Sequence, residues 1–106
     1  MQLGHERLEV YRMALGVARW AAVQVLPVAR RHLRDQLVRA ADSMVLNIAE
    51  GAGHPPREAR RNHFRIAAGS AGEVAAVLDL VALPGGPDRQ VELRRVTAML
   101  VSLVRR

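Results

Sequence analysis

Residues 33–51 read LRDQLVRAADSMVLNIAEG, and the spacing of their apolar positions decides the fold. Leu33, Leu37, Ala40, Met44, Ile48 and Gly51 advance by steps of three and four, which lines them along one face of a helix in a seam of coiled-coil a/d type. A strand would alternate; this stretch does not. The same periodicity recurs on either side. Leu8, Tyr11, Leu15, Ala18 and Ala22 mark a first helix from about Glu6 to Val25. Ala59 or Arg60, His63, Ala67, Ser70, Val74, Val77 and Val81 mark a third, and Val96, Leu100 and Leu103 a fourth. Three breaks separate them: the Pro27 region, the run from Gly51 to Pro56, and the run from Leu83 to Asp88. Gly51 and Gly53 are expected to end the second helix in the left-handed conformation, Pro55 and Pro56 to lead into the third, and Asp88 to cap the fourth. Connections this short make neighbours antiparallel. The expected architecture is therefore all-α, an antiparallel up-down-up-down four-helix bundle in which residues 1–106 form one domain.

Composition agrees and excludes the rivals. Half of the 106 residues are hydrophobic, so the chain can bury a core, yet no apolar run reaches the roughly 20 residues that a membrane-spanning helix needs. Tyr11, Trp20 and Phe64 are the only aromatics, too few for a base-stacking sheet. Cysteine is absent, which removes disulfides, thiolate metal sites and thiol nucleophiles. Met1 to Glu9 has no apolar segment of secretory type, so the expected location is cytoplasmic, with no membrane partner. The sixteen basic residues are all Arg and outnumber ten acidic ones, for a net charge of +6. Genomic GC content accounts for much of that bias, and guanidinium groups also suit phosphate. Val10, Val17, Val23, Val45, Leu46, Val91, Val101 and Val104 fall off the apolar seams, and self-association would hide such a surplus.

The polar positions fall into two groups. Arg39, Ser43, Asn47 and Glu50 form a stripe beside the seam of the second helix. An antiparallel third helix is expected to bring Arg39 level with Ser70 and Glu73, and Glu50 level with Arg57 to Arg61. Such a stripe either fixes helix register or lines a polar groove; the register role is the simpler. Gly69 and Gly72, inside the third helix, point to close helix approach. The second group is arginine. Arg30, Arg31 and Arg34 open the second helix and Arg57, Arg60 and Arg61 the third, although the positive end of a helix dipole favours acidic residues there. Arg7, Arg105 and Arg106 would join Arg57, Arg60 and Arg61 at one end of the bundle. The clusters are candidate binding sites for nucleic-acid phosphates, unless Glu6, Glu9, Glu50 and Glu58 neutralise them.

Chemistry beyond binding has little support. His5, His32, His54 and His63 suggest no metal site, no cofactor motif is present, and Ser43, Ser70 and Ser102 lack an evident base. The expectation is a protein without catalytic residues, metal or cofactor.

Arg39-Ala40-Ala41-Asp42-Ser43, Asn47-Ile48-Ala49-Glu50-Gly51, Ile66-Ala67-Ala68-Gly69-Ser70 ahead of Glu73, and the opening Leu8-Glu9-Val10-Tyr11 together resemble the four helix bundle protein family, also called 23S ribosomal RNA intervening-sequence proteins. Val45 stands where many members have Pro, and His54-Pro55-Pro56 where Ser or Thr is usual. The resemblance implies a left-handed bundle, a ring-shaped homo-oligomer, most often a pentamer, and a role linked to nucleic acid. A similar bundle is the accessory variability protein of diversity-generating retroelements, so the alternative is a structural adaptor that docks a protein partner such as a reverse transcriptase.

Overall fold

The computed structural model describes residues 4–106, which form four helices: α1 (His5–Ala22), α2 (Arg31–Gly53), α3 (Glu58–Leu80) and α4 (Gly86–Val104), with a 3₁₀ turn at Val28–Arg30 before α2. There is no strand among these residues. Each helix packs on the next and α1 closes the bundle against α4, giving an elongated body of 43 × 22 × 21 Å. Because the connections are short, each helix returns along its predecessor. Two ends result, one where α1 passes to α2 and α3 to α4, the other where α2 passes to α3. No described helix is long and apolar enough to cross a membrane.

One continuous core draws on all four helices, with Leu37, Met44, Ile48, Phe64, Val74, Leu93 and Leu100 among its fully buried members. The seams of α2 and α4 are those expected. In α1 the buried line runs through Val10, Ala14, Val17, Ala18 and Ala21, rotated from the expected one, while Tyr11 and Leu15 are only half-buried. Two valines and three alanines make a thin face, which lets α1 sit close to its neighbours while its larger residues flank the contact. Val45 is likewise buried, so part of the supposed apolar surplus belongs to the core. Val104 is half-buried against that core, and the others are exposed: Val23, Leu46, Val91 and Val101, joined by Val25, Val28, Ile66 and Leu80.

The helix ends differ from expectation. Gly85 is the single described residue with positive φ, at 82°, and it caps α4; Asp88 lies in that helix's first turn, behind Pro87. A Cβ on Gly85 would also come within 3.1 Å of Trp20 Nε1. Gly51 and Gly53 continue α2 with ordinary helical geometry, and the chain leaves the helix at His54, which is extended.

Gly51 serves contact instead. A Cβ there would lie 2.6 Å from Phe64 Cε1 and 2.8 Å from Cδ1, so the ring of α3 packs directly on the backbone of α2. Gly69 and Gly72, expected to mark the close approach, are exposed with nothing near the position of a Cβ. Close packing is thus at the end of the hairpin, not midway. Gly51→Ala should destabilise the bundle by about 1–3 kcal/mol through overpacking against a ring that is itself fully buried. Gly69→Ala should stabilise it by about 0.5–1 kcal/mol through helix propensity. Denaturant midpoints at constant slope check both.

Candidate nucleic-acid interface

A ladder of polar side chains joins α2 to α3 beside the core. Ser70, buried in α3, donates to Ser43 Oγ at 2.9 Å. Asn47 Nδ2 donates to the Ser43 carbonyl at 2.9 Å and approaches its hydroxyl at 3.3 Å. That orients the amide: its Oδ1 faces α3 and lies 2.9 Å from His63 Nδ1, which therefore carries the proton. The expected stripe is real at Ser43, Asn47 and Ser70, and it fastens two helices together. Its ends behave differently. Ser70 meets Ser43, one turn further along α2 than Arg39. Arg39 and Glu73 are exposed and have no hydrogen bond or ion pair among the described residues. Glu50 faces His54 at 3.7 Å rather than the arginines at the start of α3. The outer edge of the stripe, with Arg34, Asp35, Arg39 and Asp42, lines a shallow groove of mixed charge.

The arginines divide by what they touch. Arg34 donates from Nε to the Gln24 carbonyl and from Nη2 to the Ala22 carbonyl, both at 3.3 Å, and so covers the last carbonyls of α1 and its exit. Arg60 does the same for α2, with Nε 3.2 Å from the Gly51 carbonyl and Nη2 on that of His54. Antiparallel packing explains the placement: the start of one helix stands beside the end of the preceding one, whose unpaired carbonyls attract cations. Burial, and then the neighbouring Arg7, pull the Arg60 guanidinium below the usual arginine range.

Carboxylates hold others. Glu58 accepts from Arg65 and, at 3.2 Å, from Arg61, while Arg106 reaches Glu6 at 2.5 Å. The Arg65 bond first, then that of Arg61, hold the Glu58 carboxyl below the usual carboxylate range. A depressed folded value means that this pairing supports the fold above the ordinary carboxylate range and is lost as pH falls through the lowered value. Arg30, Arg31, Arg57 and Arg105 are exposed and make no side-chain hydrogen bond or ion pair among the described residues.

Two arginine groups therefore exist at opposite ends. Arg30, Arg31 and Arg34 stand at the start of α2; Arg7, Arg57, Arg60, Arg61, Arg105 and Arg106 surround the start of α3 and the end of α4. In the second group, Arg7, Arg60, Arg61 and Arg106 converge on a cavity of about 90 Å³ walled by Phe64 and Leu103. Arg7 Nε is buried and has no hydrogen-bond partner among the described residues.

One cluster was not foreseen. The α2–α3 turn stacks the rings of His54 and His63 at 5.3 Å, with Glu50 beside them. The four histidines were expected to form no site; the signal that could have found the group is the Glu50–His54 spacing of one turn, since only folding adds His63.

Arg60→Ala should lower stability by about 1 kcal/mol by exposing the end of α2, whereas Arg57→Ala should stay within about 0.5 kcal/mol. Chemical denaturation separates the two.

The comparisons with known proteins agree with this architecture. No curated protein matches the chain. The crystal structure of a protein with unknown function from the S23 ribosomal protein family of Bacteroides thetaiotaomicron superposes with a TM-score of 0.83 at 18% identity, covering 95% of this chain and 99% of that one. At that identity the likeness speaks for the fold. Residues 6–85 match the sequence pattern of the 23S rRNA-intervening sequence proteins, and the chain belongs to that family.

Proposed function

We propose that this is a cytoplasmic, non-enzymatic protein that assembles with copies of itself and binds RNA or DNA through the phosphate backbone. The observation that carries the proposal is the cavity lined by Arg7, Arg60, Arg61 and Arg106, with Arg7 Nε buried and without a hydrogen-bond partner among the described residues. Arg57 and Arg105, at the same end and free of carboxylates among the described residues, extend the positive surface around it. Arg30 and Arg31 form a second, weaker contact at the far end.

Glu6 and Glu58 neutralise part of this charge, so a single copy binds weakly. Several copies compensate, because a second contact on one polyanion is intramolecular. A five-membered ring, as the resemblance implies, would repeat the arginine end five times. Support for self-association comes from apolar side chains that no helix covers, above all Val25 at 87% exposure, Val28 at 80% and Val23 at 74%, with Leu46 at 65%. Contacts of this kind position a backbone without reading bases, so sequence preference should be small.

Filter binding of single-stranded RNA and DNA across a salt series tests the proposal. Affinity should fall as salt rises, and Arg57→Gln with Arg105→Gln should reduce the slope of log K on log salt by about 0.7–0.9 for each phosphate contact removed. Glu58→Gln should strengthen binding by releasing Arg61 and Arg65. Absence of binding at low salt overturns the proposal. Sedimentation should show an oligomer that Val25→Asp with Val28→Asp dissociates. A monomer would leave the apolar side chains to a different protein, such as a retroelement reverse transcriptase, and would favour the adaptor alternative.

A further inference from the structure

We infer that Glu50, His54 and His63 form a zinc site that ties the end of α2 to α3. Their ligand atoms all lie within 4.8 Å of one another. Glu50 and His54 stand one helical turn apart at the end of α2, the spacing at which two side chains on one face share a metal, and His63 arrives from the opposing helix. One carboxylate oxygen and two imidazoles are a donor set that zinc accepts, with water completing a tetrahedron.

The second observation concerns His63. Asn47 has its amide nitrogen committed to Ser43, so its oxygen takes the His63 Nδ1 proton and leaves the Nε2 lone pair free. A metal-binding histidine is ordinarily held this way, by an acceptor on its other nitrogen. The buried ladder that fastens the hairpin thus fixes one ligand in the correct tautomer. The remaining ligands are adjustable. Tetrahedral bonds of about 2.0–2.1 Å place donors about 3.3 Å apart, closer than the widest separation seen here. The His54 and His63 rings are also stacked within 13° of parallel, so their lone pairs lie in nearly parallel planes and do not yet converge. His54 lies beyond the last turn of α2 and its side chain is 40% exposed, while that of Glu50 is 65% exposed. Closure of the site calls on rotation of these two exposed side chains, which the solvent around them permits.

Zinc titration of the full chain against a chromophoric chelator tests the inference. One ion should bind per chain at micromolar zinc and raise the melting temperature, because binding favours the folded state. His54→Gln and Glu50→Gln, both outside the core, should each weaken binding at least tenfold, and His32→Gln should leave it unchanged. Cobalt in place of zinc should give the intense visible bands of a tetrahedral site in the unaltered protein. Failure to bind one equivalent, binding that survives both substitutions, or the pale spectrum of six-coordinate cobalt would each overturn the site.

Discussion

The bundle is organised around the missing side chain at Gly51. Phe64 is the largest fully buried side chain, and it fits because the backbone of α2 is bare where the ring lands. That contact lies where α2 turns into α3, so it sets both the distance between the two helices and the register in which the third returns. With Phe64 seated on Gly51, Ser70 comes level with Ser43 and His63 with Asn47. The hydrogen bonds of the ladder then follow from one steric fit, and they reinforce it because a slip of a single turn would break the Ser70–Ser43 and His63–Asn47 bonds together.

The same geometry removes the puzzle of cations at the starts of helices. None of the four helices has a side-chain hydrogen bond at its N-cap. The opening turns of α2 and α3 instead serve the helix before each: Arg34 reaches the end of α1 and Arg60 the end of α2. Isolated helices would not choose this arrangement. A guanidinium there opposes its own helix dipole but meets the bare carbonyls of its antiparallel neighbour at hydrogen-bonding distance, and the nearer interaction wins.

Much of this was legible in the sequence, and the limits are physical. The seam from Leu33 to Gly51 was readable because large residues recur at one period in a helix with a single buried face. The α1 seam was not, because Ala14, Ala18 and Ala21 give weak periodicity and Tyr11 and Leu15 stand out more than Val10 and Val17, which are fully buried. Gly51 showed its place but not its purpose, since a glycine near a helix end serves a left-handed exit or a close neighbour equally well, and only the position of Phe64 decides. Ser43, Asn47 and Ser70 were visible as a polar face. Their register required knowing where the turn begins, and an error of one turn moved the expected partner of Ser70 from Ser43 to Arg39. Arginine clusters were plain as clusters; that Arg34 and Arg60 are occupied by carbonyls, and Arg61, Arg65 and Arg106 by carboxylates, depends on distances that no linear pattern contains.

The arginine end therefore has to be weighed by availability, not by count. Arg60 is committed to two carbonyls, yet it also borders the cavity shared with Arg7, Arg61 and Arg106, so its charge would reach an anion placed there even though some of its donors are taken. Arg61 and Arg106 keep one side on Glu58 and Glu6, both exposed, and pairs of that kind exchange readily for a stronger acceptor because each is worth only about 0–1 kcal/mol. A phosphate competes with those carboxylates on favourable terms, since it accepts from several guanidiniums at once where each carboxylate here serves one or two. The residues that shape the turn are thus also those that gather charge. Arg57 and Arg105 differ in making no side-chain hydrogen bond or ion pair among the described residues, and for that reason their replacement tests binding with little disturbance of the hairpin.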